Sequence, residues 1–225
     1  MKIDAPLIVY GLASLILVLA VGLDNYDLML LVKPVIMPSI FFAYYTCVKG
    51  QVNVAFTLSL IVFFLGDMFL LIGGEEFYEL ILTIFLIPYL FVLYFIWGDF
   101  KEIMRTKRRR VLDFTFFLVL VVLTVLILLT LDFLEVKSTM EFILYTFFGL
   151  ELELMGCLAA MVYYNSTNKR NFYLTLTIST FILSDLFFVL YRSLDEIILL
   201  RIINTATQTL SYYFYMKYFV ERERC

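Results

Sequence analysis

The chain has 225 residues, 63% of them hydrophobic and 16% charged, with a formal net charge of −3 and a mean hydropathy of +0.96. Soluble globular domains run at roughly 45–50% apolar and about 25% charged residues, so that class is excluded. So are disordered and fibrous chains, given 24 Phe and 16 Tyr against 4 Pro and 9 Gly. Zero histidines exclude His-ligated zinc, Ser-His-Asp or Cys-His nucleophile systems and a histidine general base. Cys47, Cys157 and Cys225 are too widely spread for a metal cluster or a disulfide framework.

A helix needs about 20 mostly apolar residues to cross a hydrocarbon core of about 30 Å. Eight such runs fill nearly the whole chain, and because they are continuously apolar rather than alternating, they are helices and not barrel strands. The first, 5–23, has Ala20 and Gly22 as a weak cleavage site, but it is too long for a signal-peptide core and only Lys2 precedes it, so it is retained as a span. The second, 28–48, carries Lys33, Pro34 and Pro38; the third, 52–72, carries Ser59 and Asp67. The fourth, 77–97, holds Pro88, Tyr89 and Tyr94, and the fifth is 112–131. The sixth, 141–164, contains Glu151, Glu153 and Cys157; the seventh, 171–191, contains Thr177, Ser184, Asp185 and Tyr191. The eighth, 197–217, brings Arg201, Asn204, Gln208, Tyr212 and Tyr213. The expected fold is an all-α polytopic bundle of eight transmembrane helices in one integral membrane domain.

Basic residues fix the orientation. Lys2, Lys49, the 98–110 loop with Lys101, Arg105, Lys107, Arg108, Arg109 and Arg110, then Lys169, Arg170, Lys217, Arg222 and Arg224, all fall on the side of the N-terminus. The opposite loops have only Lys137 and Arg192, and are acidic through Asp24, Asp27, Glu75, Glu76, Asp132, Glu135, Asp195 and Glu196. Both termini are therefore expected in the cytoplasm. The basic 105–110 run is read as a topology signal, with anionic lipid binding as the other option. The near-neutral total argues against a nucleic-acid partner.

An internal repeat organises the polar residues. FTLSLIVFFLGDMFLL at 56–71 and LTLTISTFILSDLFFV at 174–189 match at a constant offset of 118, pairing Phe63 with Phe181 and Asp67 with Asp185. The same offset sets Lys33 on Glu151. The chain thus reads as two four-helix halves, about 1–98 and 111–220, parallel repeats about an axis along the membrane normal. At about 1.5 Å per residue, Asp67, Asp185 and Lys33 each lie roughly 9–10 Å below the non-cytoplasmic surface. Arg201, Asn204 and Gln208 share one helix face and descend from that surface. Glu151 and Glu153 point about 200° apart, so both cannot line one cavity; Glu151 is assigned inward as the repeat partner of Lys33, and Glu153 is left unassigned. Charges at this depth are costly and face the interior. The expected pocket contains Lys33, Asp67, Glu151, Asp185, Arg201, Asn204 and Gln208, with hydroxyls from tyrosines such as Tyr94 and Tyr212.

These features resemble the lysoplasmalogenase (YhhN-like) family of eight-span membrane hydrolases, through Lys33-Pro34, Gly66-Asp67 and Ser184-Asp185 together with the number and spacing of the spans. The resemblance implies metal- and cofactor-free cleavage of the vinyl ether bond of lysoplasmalogens. The products are a fatty aldehyde and a glycerophosphocholine or glycerophosphoethanolamine. It maps the family's paired catalytic aspartates onto Asp67 and Asp185. The partners it implies are a lysophospholipid substrate and the surrounding lipids; the short loops suggest a bacterial inner membrane.

The chemistry itself needs one carboxyl protonated and one ionised. Lys33 is expected to hold one aspartate charged while an apolar wall keeps the other protonated, without the sequence saying which. Arg201 or Lys33 would take the lipid phosphate, with the chain running inward between Phe-rich helices. A transporter or flippase using the same charges, and a non-catalytic scaffold, stay open as alternatives. Ser59, Thr177 and Ser184 have no base in reach and are expected to back-bond to helix carbonyls.

Overall fold

The computed structural model describes residues 5–73, 77–106, 114–134, 138–194 and 197–223. Lys2, Glu75, Glu76, Lys107, Arg108, Arg109, Arg110, Glu135, Lys137, Asp195, Glu196 and Arg224, used above for orientation, lie outside them, as does Cys225. Among the described residues there are eight α-helices and no strand: α1 Ala5–Gly22, α2 Tyr26–Cys47, α3 Val54–Gly73, α4 Tyr78–Thr106, α5 Phe114–Phe133, α6 Thr139–Asn165, α7 Lys169–Ser193 and α8 Ile198–Glu223. Seven of these, all but α8, are long and apolar enough to cross a membrane by length and composition. The chain has the make-up of a multi-pass membrane protein.

Local chemistry sets the helix ends. Asn25, Asn53, Ser138 and Asn168 each accept a hydrogen bond from the backbone N–H three residues on, at 2.7–3.1 Å, which satisfies donors that an α-helix leaves free at its start. Between α2 and α3 the chain reverses through Lys49 and Gly50, at φ +53° and +82°; the left-handed conformation costs glycine nothing and is strained for most other residues.

Two helices outrun the apolar windows read from the sequence. α4 continues about nine residues past 97 to Thr106, and α8 continues past 217 to Glu223. A hydropathy scan finds the part of a helix suited to hydrocarbon, but hydrogen bonding carries the helix on into polar surroundings. Here the extensions are tied together: Asp99, 1% exposed, accepts from Tyr218 Oη at 2.6 Å and pairs with Arg222 at 2.6 Å and Arg170 at 3.9 Å, linking α4, α7 and α8.

Neighbours in sequence pack as hairpins (α1 with α2, α3 with α4, α5 with α6, α7 with α8), and α2 meets α3 as α6 meets α7. The cross-links are α4 with α6 and α2 with α8, plus α1 with α8. The main core draws on every helix except α5. α5 lies against α6 and α7, and it comes close because Gly149 and Gly156 present no side chain. A Cβ at Gly156 would stand 2.5 Å from Leu123, and one at Gly149 would stand 2.8 Å from Ile127. Large apolar side chains cover much of the outer surface, Val121, Val125 and Leu128 of α5 among them, as suits a lipid-facing wall.

Candidate functional site

One cavity of about 290 Å³ opens inside the bundle. Seen along α7, its lining runs from Tyr191 near one end of the helix to Phe181, so it occupies the half that the charge pattern marks as non-cytoplasmic. Its floor is aromatic. Phe63 and Phe181, matched at the repeat offset of 118, stack on each other at 5.4 Å with planes 19° apart. Tyr89 and Tyr212 pack edge-on or tilted against both rings at 5.2–6.2 Å, with Tyr215 just beyond at 6.2–6.4 Å. One turn above the stacked pair, at i+4 on each helix, stand Asp67 and Asp185.

The two aspartates are held differently. Asp67 is 3% exposed and does not line the cavity. Its Oδ1 pairs with Lys33 Nζ at 3.2 Å and accepts from Gln208 Nε2 at 3.1 Å, and its Oδ2 accepts from the Tyr212 hydroxyl at 2.9 Å. Three donors from α2 and α8 thus converge on one carboxyl group and satisfy it. Asp185 faces the cavity. It accepts from the Tyr89 hydroxyl at 2.6 Å and, among the described residues, has no cation within salt-bridge distance. The backbone beside it is fixed by Asn204, whose Nδ2 donates to the Ser184 carbonyl at 2.7 Å and to Ser184 Oγ at 3.1 Å.

Lys33, Asp185, Arg201, Asn204, Gln208 and Tyr212 therefore share the cavity wall, as the helix-face argument predicts. Arg201 lies at the mouth, paired with the exposed Asp24 at 3.0 Å and with its guanidinium against Met29 Sδ at 3.7 Å.

Three expectations need correction. Asp67 stands behind Lys33, Gln208 and Tyr212 instead of in the cavity wall, because three donors enclose it. Tyr94 is 70% exposed on the outer surface; among the tyrosines of α4, Tyr78 and Tyr89 are the ones turned inward, Tyr89 lying five residues before Tyr94 and about 140° round the helix. The third concerns α6, where Glu153 lines the cavity and Glu151 does not. Glu153 accepts from Thr124 Oγ1 on α5 at 2.5 Å, while Glu151 keeps a buried Oε2 with no hydrogen-bond partner among the described residues. The 200° argument correctly excludes having both inside, but repeat matching selects the wrong one, since α5 has no strong counterpart of the contacts α1 makes with α8.

Ser59 and Thr177 back-bond to Phe56 O and Tyr173 O, each at 2.7 Å, as expected of unactivated hydroxyls. Ser184 departs from that pattern and is engaged with Asn204 of α8. Cavity residues that sequence reasoning missed are Tyr78 and Tyr145, bonded hydroxyl to hydroxyl near the mouth, with the Arg192 guanidinium 3.5 Å from the Tyr78 ring centroid. No group of three or more Cys, Asp or Glu among the described residues is arranged to hold a metal ion. Comparison with protein-family models, curated proteins and solved structures finds no match for this chain.

Proposed function

We propose that the chain is a membrane hydrolase that cleaves the vinyl ether bond of lysoplasmalogens to a fatty aldehyde and a glycerophospho-base by carboxylate acid/base chemistry. The observation that carries this reading is the asymmetry between Asp67 and Asp185. Two repeat-related carboxyls sit at one depth, one clamped by a lysine, an amide and a hydroxyl, the other facing an apolar cavity with one hydroxyl donor. In this reading Asp67 serves as the anion and Asp185 as the acid, the division of labour that the reaction requires.

In this mechanism Asp185 gives its proton to the β-carbon, the double-bond electron pair forming the new C–H bond. The α-carbon and ether oxygen share the resulting positive charge, which the fixed Asp67 charge stabilises through space. Gln208 donates through Nε2 to Asp67, so its Oε1 is free to accept a hydrogen bond from water and aim it at the α-carbon. Water adds there and its proton returns to Asp185. The hemiacetal then collapses: its hydroxyl proton passes to the departing glycerol oxygen and the C–O bond breaks to leave the aldehyde. Asp67 acts on water through Gln208 and is in that sense a positioning residue. Arg201 at the mouth is suited to the lipid phosphate, to which a guanidinium can offer two parallel donors.

The same reading includes eight spans in two parallel repeats. Its support is that α1 to α4 and α5 to α8 form the same neighbour pairs, that α4 crosses to α6 as α8 crosses to α2, and that Phe63 stacks on its partner Phe181. α8 is counted as a span because its contacts extend from Arg201–Asp24 at one end to Arg222–Asp99 at the other. Those arginines are 21 residues and about 31 Å apart, the thickness of a hydrocarbon core. Both termini are placed in the cytoplasm and the protein in a bacterial inner membrane. The aromatic floor, and core packing beneath it by Phe56, Phe95, Tyr215 and Phe219, favour a closed reaction pocket over a transporter or flippase, which needs a route to the other side.

The test is aldehyde release from a lysoplasmalogen by the purified protein in detergent, with ester-linked and alkyl-ether lysolipids beside it. Activity on the vinyl ether alone, abolished by Asp185→Asn in a folded protein, is the expected result. No aldehyde from folded wild type removes the hydrolase reading.

A further inference from the structure

The cavity is larger than the polar cluster. An apolar arm continues from it between α4, α5, α6 and α7, and none of its residues takes part in the chemistry above. From Leu123 on α5 the lining reaches Leu134, just beyond that helix; on α6 it runs from Tyr145 to Glu153. Eleven residues at helical rise correspond to about 16 Å, close to half of a hydrocarbon core of about 30 Å and hence to one lipid chain. Leu126, Ile127 and Leu131 of α5 line it together with Leu82, Phe85 and Ile182, and the Thr130 hydroxyl among them is turned back to Leu126 O at 2.7 Å.

The deep end is built differently from the walls. Glu153 is the deepest α6 residue in the lining, and its carboxylate accepts from Thr124 Oγ1 at 2.5 Å. Just below, α5 and α6 come into close contact: the space that a Cβ on Gly156 would take lies 2.5 Å from Leu123 Cδ1. The arm therefore ends on Glu153, held from behind by Thr124 and backed by this helix–helix contact.

We infer that the Glu153–Thr124 pair is the chain-length gauge of the site, the closed end against which the terminal methyl of a single hydrocarbon chain comes to rest. This rests on the reading of the substrate as a lysolipid and adds the residue that selects among lysolipids. A methylene that leaves the micelle for the arm exchanges one hydrocarbon for another, so affinity changes little with each one that fits. A chain too long to stop short of Glu153 must separate it from Thr124 and leave a half-buried carboxylate unpaired, a loss of roughly five- to 150-fold. Affinity should therefore stay level up to an optimum, the longest chain the arm takes, and then break sharply, whereas a chain held only by the micelle shows no break.

The experiment uses inert alkyl-ether lysophospholipids of increasing chain length, at fixed mole fraction in detergent, and reads their binding from the thermal stabilisation of the whole protein. Glu153→Ala removes the stop and is expected to move the optimum to longer chains, so that lengths losing roughly five- to 150-fold in wild type bind as the shorter ones do. Glu153→Gln still accepts from Thr124 and is expected to keep the wild-type optimum. Leu126→Phe, one turn nearer the mouth, is expected to move the optimum to shorter chains. An optimum unchanged in folded Glu153→Ala overturns the gauge, as does folded wild type whose stabilisation shows no break with length or no binding at any length. Because the ligands cannot be cleaved, the result is independent of aldehyde release. A moving optimum without hydrolysis removes the enzyme reading alone, and hydrolysis with a fixed optimum removes the gauge alone.

Discussion

At the scale of single residues the site turns on how many donors each carboxylate receives. Asp185 has one described partner, Tyr89, and its role as acid predicts that Asp185→Asn lowers aldehyde release by about 10²–10⁴-fold with little change in stability. Tyr89→Phe keeps the ring in the aromatic floor and removes the hydroxyl; turnover should fall by roughly tenfold with substrate affinity unchanged, measured as kcat against KM on the same folded protein. Asp67 behaves in the opposite way. It is buried and paired with Lys33 at 3.2 Å, so Lys33→Met or Asp67→Asn alone leaves one charge, or two donors, without a partner. Each should cost on the order of 3–5 kcal/mol in denaturant unfolding from micelles, and the double variant Lys33→Met/Asp67→Asn should recover part of the loss while remaining inactive. A double variant no more stable than the worse single one would mean that Lys33 is not held by Asp67 in any energetic sense.

Among the elements, α4 and α8 explain most of what the sequence could and could not reveal. The eight helices were legible because hydrocarbon demands about 20 apolar residues and nothing else in the chain competes with that signal. The α8 polar face was legible too, since Arg201, Asn204 and Gln208 obey helical spacing whatever they touch. Partner choice was not. Tyr89 and Tyr94 have the same composition value and differ by about 140° of rotation, which is fixed by how α4 lies on α6 and α3. Glu151 and Glu153 pose the same problem on α6, where the decision depends on α5 docking across Gly149 and Gly156. The helix extensions were hidden for another reason: Asp99 reads as an ordinary loop charge until Arg222 and Arg170 are found beside it. That cluster lies at the end of the bundle away from the cavity. Asp99→Ala should therefore destabilise the protein by about 3–5 kcal/mol, leaving two arginines without their buried partner, yet leave the activity of each folded molecule unchanged. Unfolding midpoint and specific activity measured on one sample separate the two effects.

For the whole molecule, sidedness and the number of crossings are one question, and α8 decides it. Its composition is too polar for it to stand among the seven apolar helices, yet it touches Asp24 near one end and Asp99 near the other, a span of about 31 Å. A helix buried against α7, α1 and α2 along that length need not be apolar all round, because its polar face meets Asp67 and Ser184 and not lipid. Apart from Arg201 in its first turn, its Lys, Arg and Glu gather in the last turns, where snorkelling to an interface is cheap. If α8 crosses, the C-terminus lies on the same side as the connection between α6 and α7, and opposite the connections that follow α1 and α7. Single-cysteine chains test this in intact cells with a membrane-impermeant thiol reagent. With the other cysteines replaced by serine, Leu23→Cys and Leu194→Cys should label from outside, whereas Thr167→Cys and native Cys225 should label only after permeabilisation. Cys225 labelled from outside together with Leu194→Cys would leave α8 on one side of the membrane. The Asp99 cluster and the cavity mouth would then face the same water, and the placing of Asp185 in the non-cytoplasmic half of the bilayer would fall with it.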